Sequence, residues 1–125
     1  MKKCMEKLAV LIAPWRDRTP EDVKRLASAK VKLLQHGWLP IFLPDTLGDV
    51  LDDSDDEQRL QGLECSAYFV GLLAEHPEAV AVVVGPTMSE GMIADVQTWL
   101  TCGGKPPVNI RNLLQKMEMG DGRDD

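Results

Sequence analysis

The chain has 125 residues, 44% of them hydrophobic, with a formal net charge of −6 and an isoelectric point near 4.9. That length suits one domain able to bury a core without cross-links. The acidic balance gives no electrostatic support for binding a nucleic-acid polymer or an anionic membrane face.

Residues 1–7 start basic but lead into an apolar run too short for an export signal. No apolar stretch approaches the roughly 20 residues that span a bilayer. Cys4, Cys65 and Cys102 lie far apart without a CxxC pair. They read as core fillers of a protein in the reducing cytoplasm.

In chain order, residues 8–13 (LAVLIA) are apolar at every position, as in a strand covered on both faces of a parallel sheet. Pro14 ends the strand, and residues 15–18 (WRDR) form the loop at its carboxyl end. Thr19-Pro20-Glu21-Asp22 combines an N-cap, a proline at the first helical position and acids in the first turn. Val23, Leu26, Ala27, Leu33 and Leu34 recur at helical spacing up to Gly37, the expected C-cap. Residues 38–43 form a second strand, which Pro40 consigns to an edge because it lacks a ladder donor.

The pattern loosens over residues 44–56. The acid-rich run 52–57 lacks the glycine and the spaced terminal glutamate of a calcium loop, so it reads as a solvated loop and an acidic helix start. Residues 57–75 carry Leu60, Leu63, Ala67, Phe69, Val70 and Leu73 at helical spacing, and Pro77 ends that helix. Residues 79–84 (AVAVVV) are a buried third strand, followed by Gly85-Pro86, a Ser89 N-cap and a helix to about Leu100. Residues 101–107 are a breaker-rich turn, 108–110 a short edge strand and 111–119 a brief helix. Residues 120–125 are polar and expected to be disordered.

The sum is one α/β domain over residues 1–119, a three-layer αβα sandwich. Its flavodoxin- or Rossmann-like parallel sheet has about four strands in the order 2-1-3-4.

In that order, the connections reverse direction between the first and third strands, and ligands of such sheets bind at the carboxyl ends there. Trp15, Arg16 and Arg18 of the first loop then face Ser89, Glu90 and Gly91 at the start of the following helix. Ser89 caps that helix, unpartnered N–H groups favour an anion, and Gly91 lets a ligand approach the backbone. Trp15 is a candidate stacking surface. Against this stands ordinary capping with solvent-exposed arginines.

Asp95 borders the stripe of Met92, Val96, Trp99 and Leu100 expected to be buried. Its side chain leans toward the helix N-terminus and so toward the strand ends. A carboxylate there is a nucleophile or an acceptor for sugar hydroxyls, unless it is simply a boundary acid that reaches water. His36 and His76 sit near helix ends with no partners at metal spacing, and Trp99 reads as core. GxGxxG, Walker A, GxSxG and HExxH motifs are absent, and no cofactor or metal is expected. A flavin carrier would need a Gly/Ser/Thr-rich loop after Ala13, which is also absent.

Several segments together resemble the nucleoside 2-deoxyribosyltransferase-like superfamily: the strand ending at Pro14, the Arg18-Thr-Pro-Glu-Asp22 helix start, Gly37-Trp38, the strand ending at Pro44, Ser89-Glu-Gly-Met-Ile-Ala-Asp95 and Gly104-Lys-Pro106. The resemblance spans roughly residues 8–110 and is greatest for the small branch similar to 2′-deoxynucleoside 5′-phosphate N-hydrolases. It implies binding of a nucleoside or nucleotide and cleavage or transfer of an N-glycosidic bond through a covalent glycosyl-enzyme. By position, Asp95 takes the nucleophile's place, Ser89 and Gly91 contact sugar or phosphate, and Arg16 or Arg18 meets the phosphate. A homo-oligomer, a dimer, is implied as well.

Two departures stand out. The family's acid is Glu, one methylene longer than Asp95, and its acid before the third strand is represented only by Glu78. The rival expectation is a non-catalytic ligand-binding or interaction domain on the same scaffold.

Overall fold

A computed structural model describes residues 7–52 and 54–121. It contains a four-stranded, all-parallel sheet in the order β2-β1-β3-β4, with helices on both faces. The strands are β1 (Lys7–Ile12), β2 (Trp38–Ile41), β3 (Ala79–Val83) and β4 (Val108–Asn109). The helices are α1 (Pro20–Gln35), α2 (Leu43–Leu47), α3 (Asp56–Ala74), α4 (Glu90–Thr101) and α5 (Ile110–Asp121). Strand order and edges agree with the sequence expectation. Residues 1–6, including Cys4, and 122–125 of the expected tail lie outside the described residues.

Side chains alternate along β1, and that alternation builds two cores. Ala9 and Leu11 face Leu26, Ala29 and Leu33 of α1, with Ile110, Leu113 and Met117 of α5 packed alongside. Val10 and Ile12 face Val70 and Ala74 of α3 and Met92 and Trp99 of α4. α1 and α5 thus cover one face of the sheet, and α3 and α4 the other.

The helix starts follow their sequence signals. Thr19 accepts from the Asp22 N–H at 3.1 Å while Asp22 accepts from the Thr19 N–H at 2.9 Å, a reciprocal capping box. Asp55 caps α3 by accepting from the N–H groups of Glu57 and Gln58.

The departures have local causes. The C-cap of α1 is His36, with Gly37 one residue beyond in the left-handed region at φ +82°. Leu43 opens α2 and does not extend β2. Pro44 follows in the first turn, where its missing N–H has no intrahelical partner to lose. α5 continues through Asp121, past the expected stop at residue 119.

Several residues taken for core are at the surface. Val23, Leu34, Leu60, Leu63 and Leu100 are exposed, and so is Ala67. The apolar residues of α3 are spread around its circumference, so their spacing could not tell which side meets the sheet. The sheet takes Val70 and Ala74, leaving Leu60, Tyr68 and Leu72 outward.

Trp99 anchors the α4 layer. It is 1% exposed, and its indole N–H donates to the Lys105 carbonyl at 2.6 Å. The turn after α4 crosses against the ring so closely that a Cβ on Gly104 would lie 2.3 Å from Trp99 Nε1.

Candidate functional site

β1 and β3 are adjacent and parallel, pairing Ile12 with Val83, and the Val84 N–H extends the ladder to the Ile12 carbonyl at 2.9 Å. The chain leaves both strands at the same edge of the sheet. The loop of residues 13–19 and the loop of residues 84–89 therefore begin side by side. Gly85 makes the second exit at φ +138°, a conformation that strains any residue with a Cβ.

In the first loop, Arg16 is exposed and Asp17 adopts φ +56°. Trp15 turns inward from the rim and meets Phe42 edge-on, with ring centroids 6.0 Å apart and planes at 62°. It also lies against Gly48, where a Cβ would fall 2.6 Å from the indole. The guanidinium of Arg18 stacks 4.3 Å from the Trp15 ring centroid, a cation–π contact. Trp15 and Arg18 therefore already partner each other, and a base stacking on that indole would compete with Arg18 for the ring. Arg16 is the arginine of this loop that projects into solvent.

In the second loop, Ser89 caps α4 by accepting from the Met92 N–H at 3.3 Å. Its own N–H reaches the Met92 sulfur at 3.5 Å, a weak acceptor closing the same turn. Ser89, Glu90 and Gly91 are exposed, and a Cβ on Gly91 would meet nothing within 4 Å. The capping role is present, and there is open space beside the first turn of α4.

Asp95, on the second turn of α4, is half-buried and points toward α3, where the Ser66 hydroxyl donates to its Oδ1 at 3.0 Å. Burial pushes its carboxyl above the usual aspartate value, and the Ser66 bond opposes that by favouring the anion. It is the carboxyl raised by burial among the described residues. Ser66 was missed in the sequence because a single serine inside a helix carries no motif, and its partner is fixed only by how α3 packs on α4.

Glu78 lies far from this region. It sits where β3 begins and pairs with Lys7 at 3.1 Å, at the amino ends of the strands. His76 accepts from the Glu78 N–H through Nδ1 at 3.1 Å, closing the turn after α3. Among the described residues, no group of three or more His, Cys, Asp or Glu could hold a metal ion. Among them also, no helix is long and apolar enough to cross a membrane.

A groove lies on the α1–α5 face of the sheet, opposite Asp95. This groove, of about 1040 Å³, runs between the two helices with Val84 and Ala29 in its lining. Lys32 and Arg25 come from α1; Arg111, Asn112 and Gln115 come from α5. Its upper end reaches Gly85 and Pro86.

The family described as a domain of unknown function, DUF7768, matches residues 7–103, and the chain belongs to it. No curated protein and no solved structure matches the chain. The match takes in β1 through α4, with both loops and Asp95; β4 and α5 lie beyond it.

Proposed function

We propose that this member of the DUF7768 family is a cytoplasmic protein that binds a nucleoside or nucleotide where the carboxyl ends of β1 and β3 meet. In this reading it cleaves or transfers the N-glycosidic bond through Asp95. The observation that carries the reading is the half-buried Asp95 on the helix whose exposed N-terminus lies beside the Arg16 loop. Partial burial leaves a carboxylate less solvated than on a surface. The Ser66 hydroxyl holds it in one orientation, which supports a nucleophilic role.

In the first step, a carboxylate oxygen of Asp95 bonds to C1′ as the bond from C1′ to the base nitrogen breaks. The base leaves with the electron pair and takes a proton from water. In the second step, water or another base attacks C1′, releases the sugar and restores the carboxylate. Arg16 and the N–H groups at the start of α4 supply positive potential for a 5′-phosphate. The apolar exposure of Tyr68 and Leu72 on α3 and of Ile93 and Leu100 on α4 supports a homodimer formed through this layer.

A second reading is a binding domain without catalysis. It is favoured by the direction of Asp95, whose observed partner is Ser66 on α3. The two separate in one assay: chromatography of free base from a panel of nucleosides, deoxynucleosides and their 5′-monophosphates. Release that is lost in Asp95→Ala supports catalysis. Saturable nucleotide binding with no release supports the second reading and refutes the first.

A further inference from the structure

Trp15 and Arg18 are half-buried together on the loop that follows β1. The Arg18 guanidinium lies over the indole, 4.3 Å from the ring centroid. Asp17 makes that return possible. Its φ of +56° is in the left-handed region, which turns the chain back so that Arg18 reaches the ring.

The indole is held from the other elements around it. Phe42, just after β2, meets it edge-on, and Gly48, at the end of α2, lies so close that a Cβ there would fall 2.6 Å from it. The ring is therefore fixed by β2 and α2, whereas its cover is a side chain of a surface loop. That cover is lightly held. Ion pairs join Lys7 to Glu78, Arg25 to Asp22 and Lys30 to Asp45, and among the described residues no carboxylate pairs with Arg18. A cation–π contact at a partly exposed site shifts a competing equilibrium by about two- to fivefold. That favours the covered ring at rest and is small enough for a ligand to reverse.

We infer that Arg18 is a displaceable plug on an aromatic subsite. Its guanidinium is flat and delocalised, and it occupies the face of Trp15 that a planar heteroaromatic ligand takes. Such a ligand stacks on the indole as Arg18 swings away, so its affinity is lowered by the contact that Arg18 gives up. The inference rests on the proposed reading for the class of ligand, a nucleobase, and is independent of what Asp95 does. It separates the two arginines of the loop: Arg16 projects into solvent, and Arg18 controls access to the ring.

The test uses the full chain labelled with 5-fluorotryptophan, with the Trp15 signal assigned by Trp15→Phe, and adenosine as the probe. Adenosine carries a planar base and no phosphate, so it reads the ring and not the anion contacts of the loop. The Trp15 fluorine signal is expected to shift saturably, and Arg18→Ala to tighten binding by about two- to fivefold. Arg18→Lys keeps the charge but loses the flat face, and is expected to tighten binding as well. Lys24→Ala removes an exposed charge on α1 and leaves the affinity as it was. Arg18 lies outside every strand and helix, so circular dichroism of its variants stays that of the wild type. Binding that weakens or stays equal in Arg18→Ala overturns the plug and leaves the proposed function standing. A Trp15 signal that adenosine moves in neither protein overturns the ring as a subsite, and the base-release panel then judges the proposed function on its own.

Discussion

Replacing Gly104 by alanine adds one methyl group, and the structure decides the sign of its effect. At an unstrained, open position, Gly→Ala commonly stabilises by about 0.4–1 kcal/mol, because the unfolded chain loses freedom. At Gly104, the new Cβ would lie 2.3 Å from Nε1, 2.4 Å from Cε2 and 2.6 Å from Cδ1 of Trp99. These atoms belong to a rigid ring that is 1% exposed and tied to the Lys105 carbonyl at 2.6 Å. The ring cannot rotate away without leaving that carbonyl.

Overpacking of this kind costs about 1–3 kcal/mol. An indole N–H left buried without its acceptor adds about 1–3 kcal/mol more. We therefore expect Gly104→Ala to destabilise the fold by about 2–6 kcal/mol, which for a domain near this size lowers Tm by roughly 10 °C or more. Urea titration followed by tryptophan emission and far-ultraviolet circular dichroism measures it. A variant as stable as the wild type, or more stable, would refute the packing of the turn against Trp99.

Further expectations concern the carboxylate and the caps. The proton on Asp95 stabilises the fold fully below the unfolded aspartate value of 3.8, and that contribution is lost as pH rises through the raised folded value. Asp95→Asn removes this loss while keeping an acceptor for Ser66. The variant should gain stability relative to wild type at pH 7, with the gain shrinking as pH falls toward 4; a pH-independent difference in melting temperature would contradict the burial of Asp95. Ser89→Ala and Thr19→Ala should each cost about 1 kcal/mol in denaturant titration, since each hydroxyl accepts a first-turn N–H. No change in midpoint for either would show that the cap is not formed.

The strand order was readable because each βαβ unit carries strong punctuation: Pro14 and Thr19-Pro20 around α1, Gly37 after it, and Pro77 and Gly85 around β3. Handedness and adjacency then leave few ways to arrange four short apolar runs. Burial was less readable. α3 presents apolar residues on every side, so periodicity could not choose the face that Val70 and Ala74 give to the sheet.

The site was legible as a location and less so as a set of contacts. Sequence spacing puts Asp95 near the strand ends, but its bond to Ser66 joins residues 29 apart and depends on how α3 and α4 pack. The stacking of Arg18 on Trp15 also escaped the sequence reading, because Trp15 meets Phe42 and Gly48 only once β2 and α2 are folded. The α1–α5 groove was hidden for another reason: a short strand and a brief helix carry no motif, and the groove's walls come from segments far apart in sequence.

The most direct test of the central claim is a quenched reaction of wild-type protein with the substrate that releases base, digested and mapped by mass spectrometry. The account predicts a sugar-mass adduct on the peptide carrying Asp95, and in Asp95→Ala its loss together with a fall in base release of more than about 10²-fold. Base released by Asp95→Ala at the wild-type rate, with no adduct on the wild-type peptide, would contradict it.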